Sequence, residues 1–278
     1  VNLSNPQNLV AEAAINLPDS LGTTPLHVMN GTVLTSRWVA SPTTPGKVRF
    51  YIDRVDLTGV TKALSSVNVP GSLLHVDAPS SRLVTTDYHV SRLQAADYQE
   101  CYERTGRRGQ FDYDLKTCTL VDRDFKLADI AGTKVTLRQT FVPPSQNIGG
   151  VQLTDDRIYM THYSVYDYSY GGTYDPYNPP KPRLLEEGGL WAIGGLRDGN
   201  LAIKSQLSAD AQWPLAAQGN RVAVYQSNGL AIYDSSAPVP ALVSSATLRG
   251  YGYSSYVLLS PDHAVASLGE WGLQTIRW

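Results

Sequence analysis

Cysteine is nearly missing from this chain. Cys101 and Cys118 are its two thiols in 278 residues. Two sulfurs cannot complete a zinc site or a cluster without further ligands, and the segment that they bracket, "CYERTGRRGQFDYDLKTC", holds no histidine. No apolar run approaches the roughly 18 residues of a membrane-spanning helix. No block of basic residues occurs, and 23 Lys and Arg against 25 Asp and Glu leave a formal charge of −2. That balance removes the electrostatic footprint expected for nucleic acid or an anionic membrane. Helical periodicity is almost absent. "PQNLVAEAAINLP" could form a helix, but its end aligns with the strand-like "TKALSSVNVP". Catalytic signatures are missing too. No G-x-S-x-G, H-E-x-x-H, Walker A or G-x-G-x-x-G stands in a strand-to-helix context.

What is present is β-type and rich in tyrosine. Apolar residues make up 42% of the chain, with 17 Tyr and 5 Trp against 4 Phe. Aromatics with a polar tip suit surfaces that are partly wet. The two cysteines flank one polar segment and read as a disulfide in an oxidising compartment: extracellular, cell-surface or periplasmic. Two reduced thiols remain the alternative. The chain opens on "VNLSNP" without Met, and we expect a trimmed chain whose targeting segment lies outside it.

A repeat runs through the sequence. "GTVLTSRWV", "SRLVTTDYHV", "DRIYMTHYSV", "NRVAVYQS" and "HAVASLG" are five copies of one alternating, β-branched strand. Each follows another strand across a tight polar turn: "TPLHVMN", "GSLLHVDA", "NIGGVQL", "WPLAAQ" and "SSYVLLS". Two further strands follow each of the first four copies, as in "VRFYIDRVDL" and "TKALSSVNVP". The last copy is followed by one strand, "GLQTIRW". A unit of four short antiparallel strands over as few as 43 residues (Val222 to Val265) is the signature of a propeller blade. Such a sheet cannot bury both faces alone, and stacking blades around an axis buries them. We therefore expect one all-β domain over 1–278, a propeller of about five four-stranded blades. The ring would close where the N-terminal strand, about Leu9 to Leu17, joins the three C-terminal strands.

Two stretches also resemble a known repeat. "VNLSNPQNLVAEAAINLP" and "DSSAPVPALVSSATLRG", the latter with Asp234, Ser236 and Pro238, are similar to the LVIVP-type repeats of secreted bacterial β-propellers. "VDLTGVTKALSSVNVPG" matches without the proline. The whole chain resembles secreted C-terminal propeller proteins distantly related to WD-repeat folds. The resemblance implies a fold and an extracellular setting. It transfers no catalytic residue, and its long insertions and low blade number leave room for more blades in a longer parent chain.

Function is expected in the insertions, because loops accept novelty more readily than packed strands. Equivalent strand positions are separated by 50 residues (Val33 to Leu83), then 75 (to Ile158), 64 (to Val222) and 43 (to Val265). The excess falls at about 91–117, which contains the two cysteines, and at 163–183, "YSVYDYSYGGTYDPYNPPKPR". The second stretch holds six tyrosines and four prolines. Tyrosine gives a large contact area at modest entropic cost. Tyr166, Tyr168, Tyr170, Tyr174 and Tyr177 are candidate contact residues, or else cover their own blade. Arg104, Arg107 and Arg108 form a cationic cluster near Asp112 and Asp114, or else a solvated set of ion pairs.

Other chemistry is thin. His27 and His75 occupy matching places in "PLHV" and "LLHV" and could share a metal, but no third ligand is visible; satisfied histidines are the alternative. Asp122 and Asp124 in "VDRDF" lack the glycine and glutamate of a calcium loop. "SADAQW" lacks the glycine of a sialidase aspartate box. Among acids on inner strands Asp77 stands out, and Glu186, Glu187 and Glu270 form no assignable pair. The leading expectation is a non-enzymatic extracellular scaffold that binds a protein, or a glycan, through its inserted loops, with no cofactor and no bound metal. A glycoside hydrolase or lectin-like binder acting at the channel mouth is the alternative. Two carboxylates in one cleft would favour hydrolysis; exposed aromatics on one rim would favour binding.

Overall fold

The computed structural model describes residues 15–18, 22–23, 26–106, 108–167, 183–208, 213–226, 229–249 and 256–278. The alternating runs become strands, and the tight turns between them set the register. The first sheet contains β1 (Gly22–Thr23), β2 (His27–Met29), β3 (Thr32–Ala40), β4 (Val48–Asp56) and β5 (Lys62–Val69). Strands β2 to β5 lie antiparallel in chain order, and β1 pairs with the far half of β3. The β2–β3 connection is the two-residue turn Asn30-Gly31, both at positive φ (50° and 75°). This mirror-image turn matches the twist of a hairpin and favours Asn-Gly.

The second sheet contains β6 (Ser72–Asp77), β7 (Arg82–Gln94), then, after α1 (Tyr98–Arg104) and β8 (Gln110–Asp112), β9 (Thr117–Ala131) and β10 (Lys134–Phe141). Its order is β6-β7-β9-β10, with β8 also on β9. The third uses β11 (Ile148–Leu153) and β12 (Arg157–His162). It skips the hairpin β13 (Val165–Asp167) and β14 (Arg183–Glu186), which pair with each other, and continues with β15 (Gly189–Gly194) and β16 (Ala202–Ser208). The fourth is β17 (Trp213–Gln218), β18 (Arg221–Gln226), β19 (Gly229–Asp234) and β20 (Ala241–Thr247). The fifth has three described strands, β21 (Tyr256–Leu259), β22 (His263–Ser267) and β23 (Leu273–Arg277). Every pairing with a resolved register is antiparallel.

The chain divides into two compact units. One is Val1–Thr86 with Ala128–Leu137, and the other is Asp87–Leu127 with Arg138–Trp278. In the first, Leu34, Ile52 and Val69 from one sheet bury against Leu73, Leu83 and Ile130 from the next. In the second, β18 shows why its central residues, Val222 to Tyr225, are all apolar or aromatic. Val222 and Val224 face Tyr159, Leu190 and Ala192 of the third sheet, while Ala223 and Tyr225 face Leu259, Ala264 and Ala266 of the fifth. A strand buried on both faces loses its polar alternation.

Three expectations need correction or limits. The 91–117 insertion is not a bare loop: β7 runs to Gln94, and α1 and β8 fold within it. Asp97 accepts the Glu100 backbone N–H at 2.9 Å while the Glu100 carboxylate accepts that of Ala96 at 2.7 Å, a reciprocal cap that starts this one short helix. The 163–183 insertion likewise begins and ends as the hairpin β13–β14. Of the N-terminal strand expected over 9–17, residues 9–14 lie outside the described residues, and Ile15–Pro18 carry no strand.

Candidate functional site

The disulfide lobe is closed upon itself. Cys101 of α1 and Cys118 of β9 are bonded and fully buried beside Ala95 and Phe111. The Thr105 hydroxyl donates to the Cys101 carbonyl at 2.7 Å and accepts the Gly109 N–H at 2.9 Å. Arg104 donates to the Gln94 carbonyl at 2.5 Å and to Glu100 at 3.2 Å. Arg108 holds Asp122 at 2.6 Å. Both arginines thus spend their charge locally. Arg107 lies outside the described residues. Asp124 is also engaged: it binds Lys126 at 2.8 Å and His89 at 2.8 Å. Lys126 reaches Asp87 as well, at 3.5 Å. These two carboxylates share one ammonium group rather than presenting a separate acid and base.

The base of the tyrosine insertion is built differently. It grows from the end of β12, where His162 pairs with Gly189 and the chain leaves the sheet. Gly188 is required at the return point: a Cβ there would come within 2.6 Å of the Ser164 nitrogen and 2.8 Å of the His162 carbonyl. Its own N–H donates to the Ser164 hydroxyl at 2.8 Å. His162, 8% exposed, stacks on Trp191 with ring centroids 3.9 Å apart. Its buried Nδ1 makes no hydrogen bond and stands 3.9 Å from a Glu186 carboxylate oxygen. Burial holds the imidazole below its ordinary pKa, and Glu186 opposes this only in part. The other Glu186 oxygen accepts from the Asn147 amide at 3.0 Å.

Three half-exposed aromatics lie on this rim: Tyr163, Tyr166 and Trp213, at 38%, 39% and 40%. The Tyr163 N–H donates to the Asn147 carbonyl at 2.8 Å, which joins the aromatic and polar groups. Its ring meets Trp213 edge-on, centroids 6.3 Å apart at 83°. Trp213 is also 6.2 Å from Tyr225, its cross-strand partner. Burial raises the Tyr163 hydroxyl pKa, and a side-chain hydrogen bond with Trp213 pulls it back.

Of the sequence candidates, Tyr166 falls on β13 within this rim; Tyr168, Tyr170, Tyr174 and Tyr177 lie outside the described residues. Trp213, Asn147 and Trp191 were not singled out by sequence, since each reads as an ordinary strand or turn residue until the sheets are assembled. Glu186, unassigned by sequence, belongs here through β14. Elsewhere, Asp77 accepts from the backbone and hydroxyl of Ser80 and so organises a turn. Burial, and then the charge of His75, lower the pKa of His27. Among the described residues no group of three or more His, Cys, Asp or Glu is placed to hold a metal. A separate cleft of about 430 Å³ lies between turns at Asp155–Arg157, Arg197 and Gln218–Asn220. Of its lining residues, Arg157 also donates to the Ser235 hydroxyl at 2.7 Å.

No protein-family model and no curated protein matches the chain. Among solved structures it is similar to the computationally designed Ika8 protein, at 10% identity and a TM-score of 0.43, over 92% of this chain and 71% of that one. It is also similar to a candidate 6-phosphogluconolactonase from Bacteroides fragilis, at 12% identity and a TM-score of 0.28, over 89% and 91%. Likenesses this distant carry no argument about fold or activity. No described helix is long and apolar enough to cross a membrane.

Proposed function

We propose that this protein is a non-enzymatic extracellular or cell-surface scaffold that binds a protein partner through its tyrosine-rich insertion. Its sheets are the blades of a five-bladed propeller of the LVIVP-repeat type, closed by an N-terminal strand added to the fifth sheet. Face-to-face burial on both sides of β18 supports the blade reading. The internal disulfide supports an oxidising compartment.

The single observation that carries the binding reading is the rim at the base of the insertion. Its aromatics stand half-exposed on a support of close backbone contacts and a buried His–Trp stack. Rigid aromatics with polar tips are effective contact groups because they lose little conformational entropy on binding. Prolines 176, 179, 180 and 182 lower the ordering cost of the arm itself.

The test is a pull-down from the native cell surface with the intact chain and with Tyr168, Tyr170 and Tyr174 replaced together by Ser. Capture should fall more than about tenfold, or about 1.4 kcal/mol, at an unchanged melting temperature. A large drop in melting temperature would assign those rings to covering the fold, and unchanged capture would move the contact elsewhere.

A further inference from the structure

We infer that the rim residues beneath the arm form a subsite for a neutral pyranose sugar, with Trp213 as the stacking surface and Asn147 and Glu186 as the hydroxyl-binding pair. This goes beyond protein binding by the arm, and it uses residues that the arm does not contain.

The ring geometry comes first. Trp213 opens β17, and its indole contacts two rings, Tyr163 edge-on and Tyr225 at a tilt of 36°. Trp213 remains 40% exposed as a residue, and a fixed indole offers a flat apolar face. The C–H face of a pyranose is its natural complement, because burying it against a preset ring costs little entropy.

The polar pair comes second. The Asn147 amide donates to one Glu186 oxygen at 3.0 Å, which fixes the carboxylate. Glu186 remains part-exposed, its side chain at 37%. A carboxylate beside an amide presents acceptors and a donor within one hydrogen bond of each other. Adjacent sugar hydroxyls, each both donor and acceptor, match that pattern. Tyr163 stands between the two halves: its ring touches Trp213 and its backbone N–H bonds Asn147.

The charge comes third. Glu186 is an acid, and burial lowers the pKa of the nearby His162. The Glu186 carboxylate disfavours uronic and sialic acids and phosphate at its own position, so the sugar is uncharged. A proline-rich peptide would also stack on Trp213, but it brings few donors for the carboxylate, which burial would then leave under-bonded.

The experiment is saturation-transfer NMR on the whole protein with methyl β-glucoside, methyl β-galactoside and N-acetylglucosamine, and glucuronic acid as the acidic control. Transfer to the ring C–H protons of at least one neutral sugar is expected, with none to glucuronic acid. Trp213→Ala should weaken that binding about tenfold or more. Glu186→Gln, which keeps the shape, should weaken it severalfold at an unchanged melting temperature. The Tyr168/Tyr170/Tyr174→Ser variant should bind sugar normally, which separates this subsite from the arm. The inference is overturned by absence of transfer from every neutral sugar, by equal binding of glucuronic acid, by binding retained in both Trp213→Ala and Glu186→Gln, or by binding of a proline-rich peptide alone.

Discussion

The two insertions leave their sheets at the same point of the repeat, after β7 and after β12, yet they are built to opposite ends. The lobe between β7 and β9 closes on itself. Its disulfide, its capped helix and its arginines satisfy one another, and Cys101 and Cys118 are fully buried. The hairpin β13–β14 does not. It has a buried foundation in His162 and Trp191 but leaves Tyr163, Tyr166 and the adjoining Trp213 half-exposed. An insertion that must hold itself together consumes its polar groups, whereas one anchored by its parent sheet can leave them for a partner.

The largest way to break this contrast is through the lobe. Replacing Cys101 and Cys118 by Ala should cost about 3 kcal/mol, the chain-entropy value for a loop of this length. Chemical denaturation would read it, and a change below about 1 kcal/mol would mean that the helix cap and Phe111 hold the lobe unaided. Next is the arm's return point. Gly188→Ala forces a Cβ against the Ser164 nitrogen, and such overpacking costs about 1–3 kcal/mol. The loss should appear as a lower melting temperature and faster hydrogen exchange at His162 and Ser164, with the lobe untouched.

A smaller effect concerns pH. The folded-state pKa of His162 is lowered from 6.5, so the unfolded chain binds the proton more readily. Stability from this residue is present above pH 6.5 and is lost as pH falls through that value toward the folded pKa. His162→Gln should flatten this part of the melting profile; an equal acid loss in the variant would place the titration elsewhere. The half-buried His27, also lowered, acts in the same direction in the first unit, so the difference between wild type and variant is the quantity to read. Smallest is Arg104→Ala. Its pair with Glu100 is solvent-exposed, and exposed helical pairs contribute about 0.3–0.5 kcal/mol. A drop well beyond that would show that the bond to the Gln94 carbonyl, rather than the ion pair, secures the lobe.

The sequence by itself determined the strands and their grouping. "TVLTSRWV", "RIYMTH" and "RVAVYQ" lie in β3, β12 and β18, because alternation and tight polar turns are local properties with local causes, although the expected strand "DRIYMTHYSV" breaks after His162 and its Val165 opens β13. It also located both insertions and the cysteine pair, since spacing alone exposes an excess of chain. It did not show that α1 forms inside the first insertion, because seven residues carry too little periodicity and this helix depends on its cap and on burial of Cys101. Nor did it bring together Asn147, Glu186 and Trp213, the second and third of which lie 39 and 66 residues beyond the first in the chain. Only the tertiary structure decided that these three share a rim. Their proximity follows from register and from the packing of β11 beside β17, where Gly150 admits Pro214, and such long-range packing leaves no local mark on a single sequence.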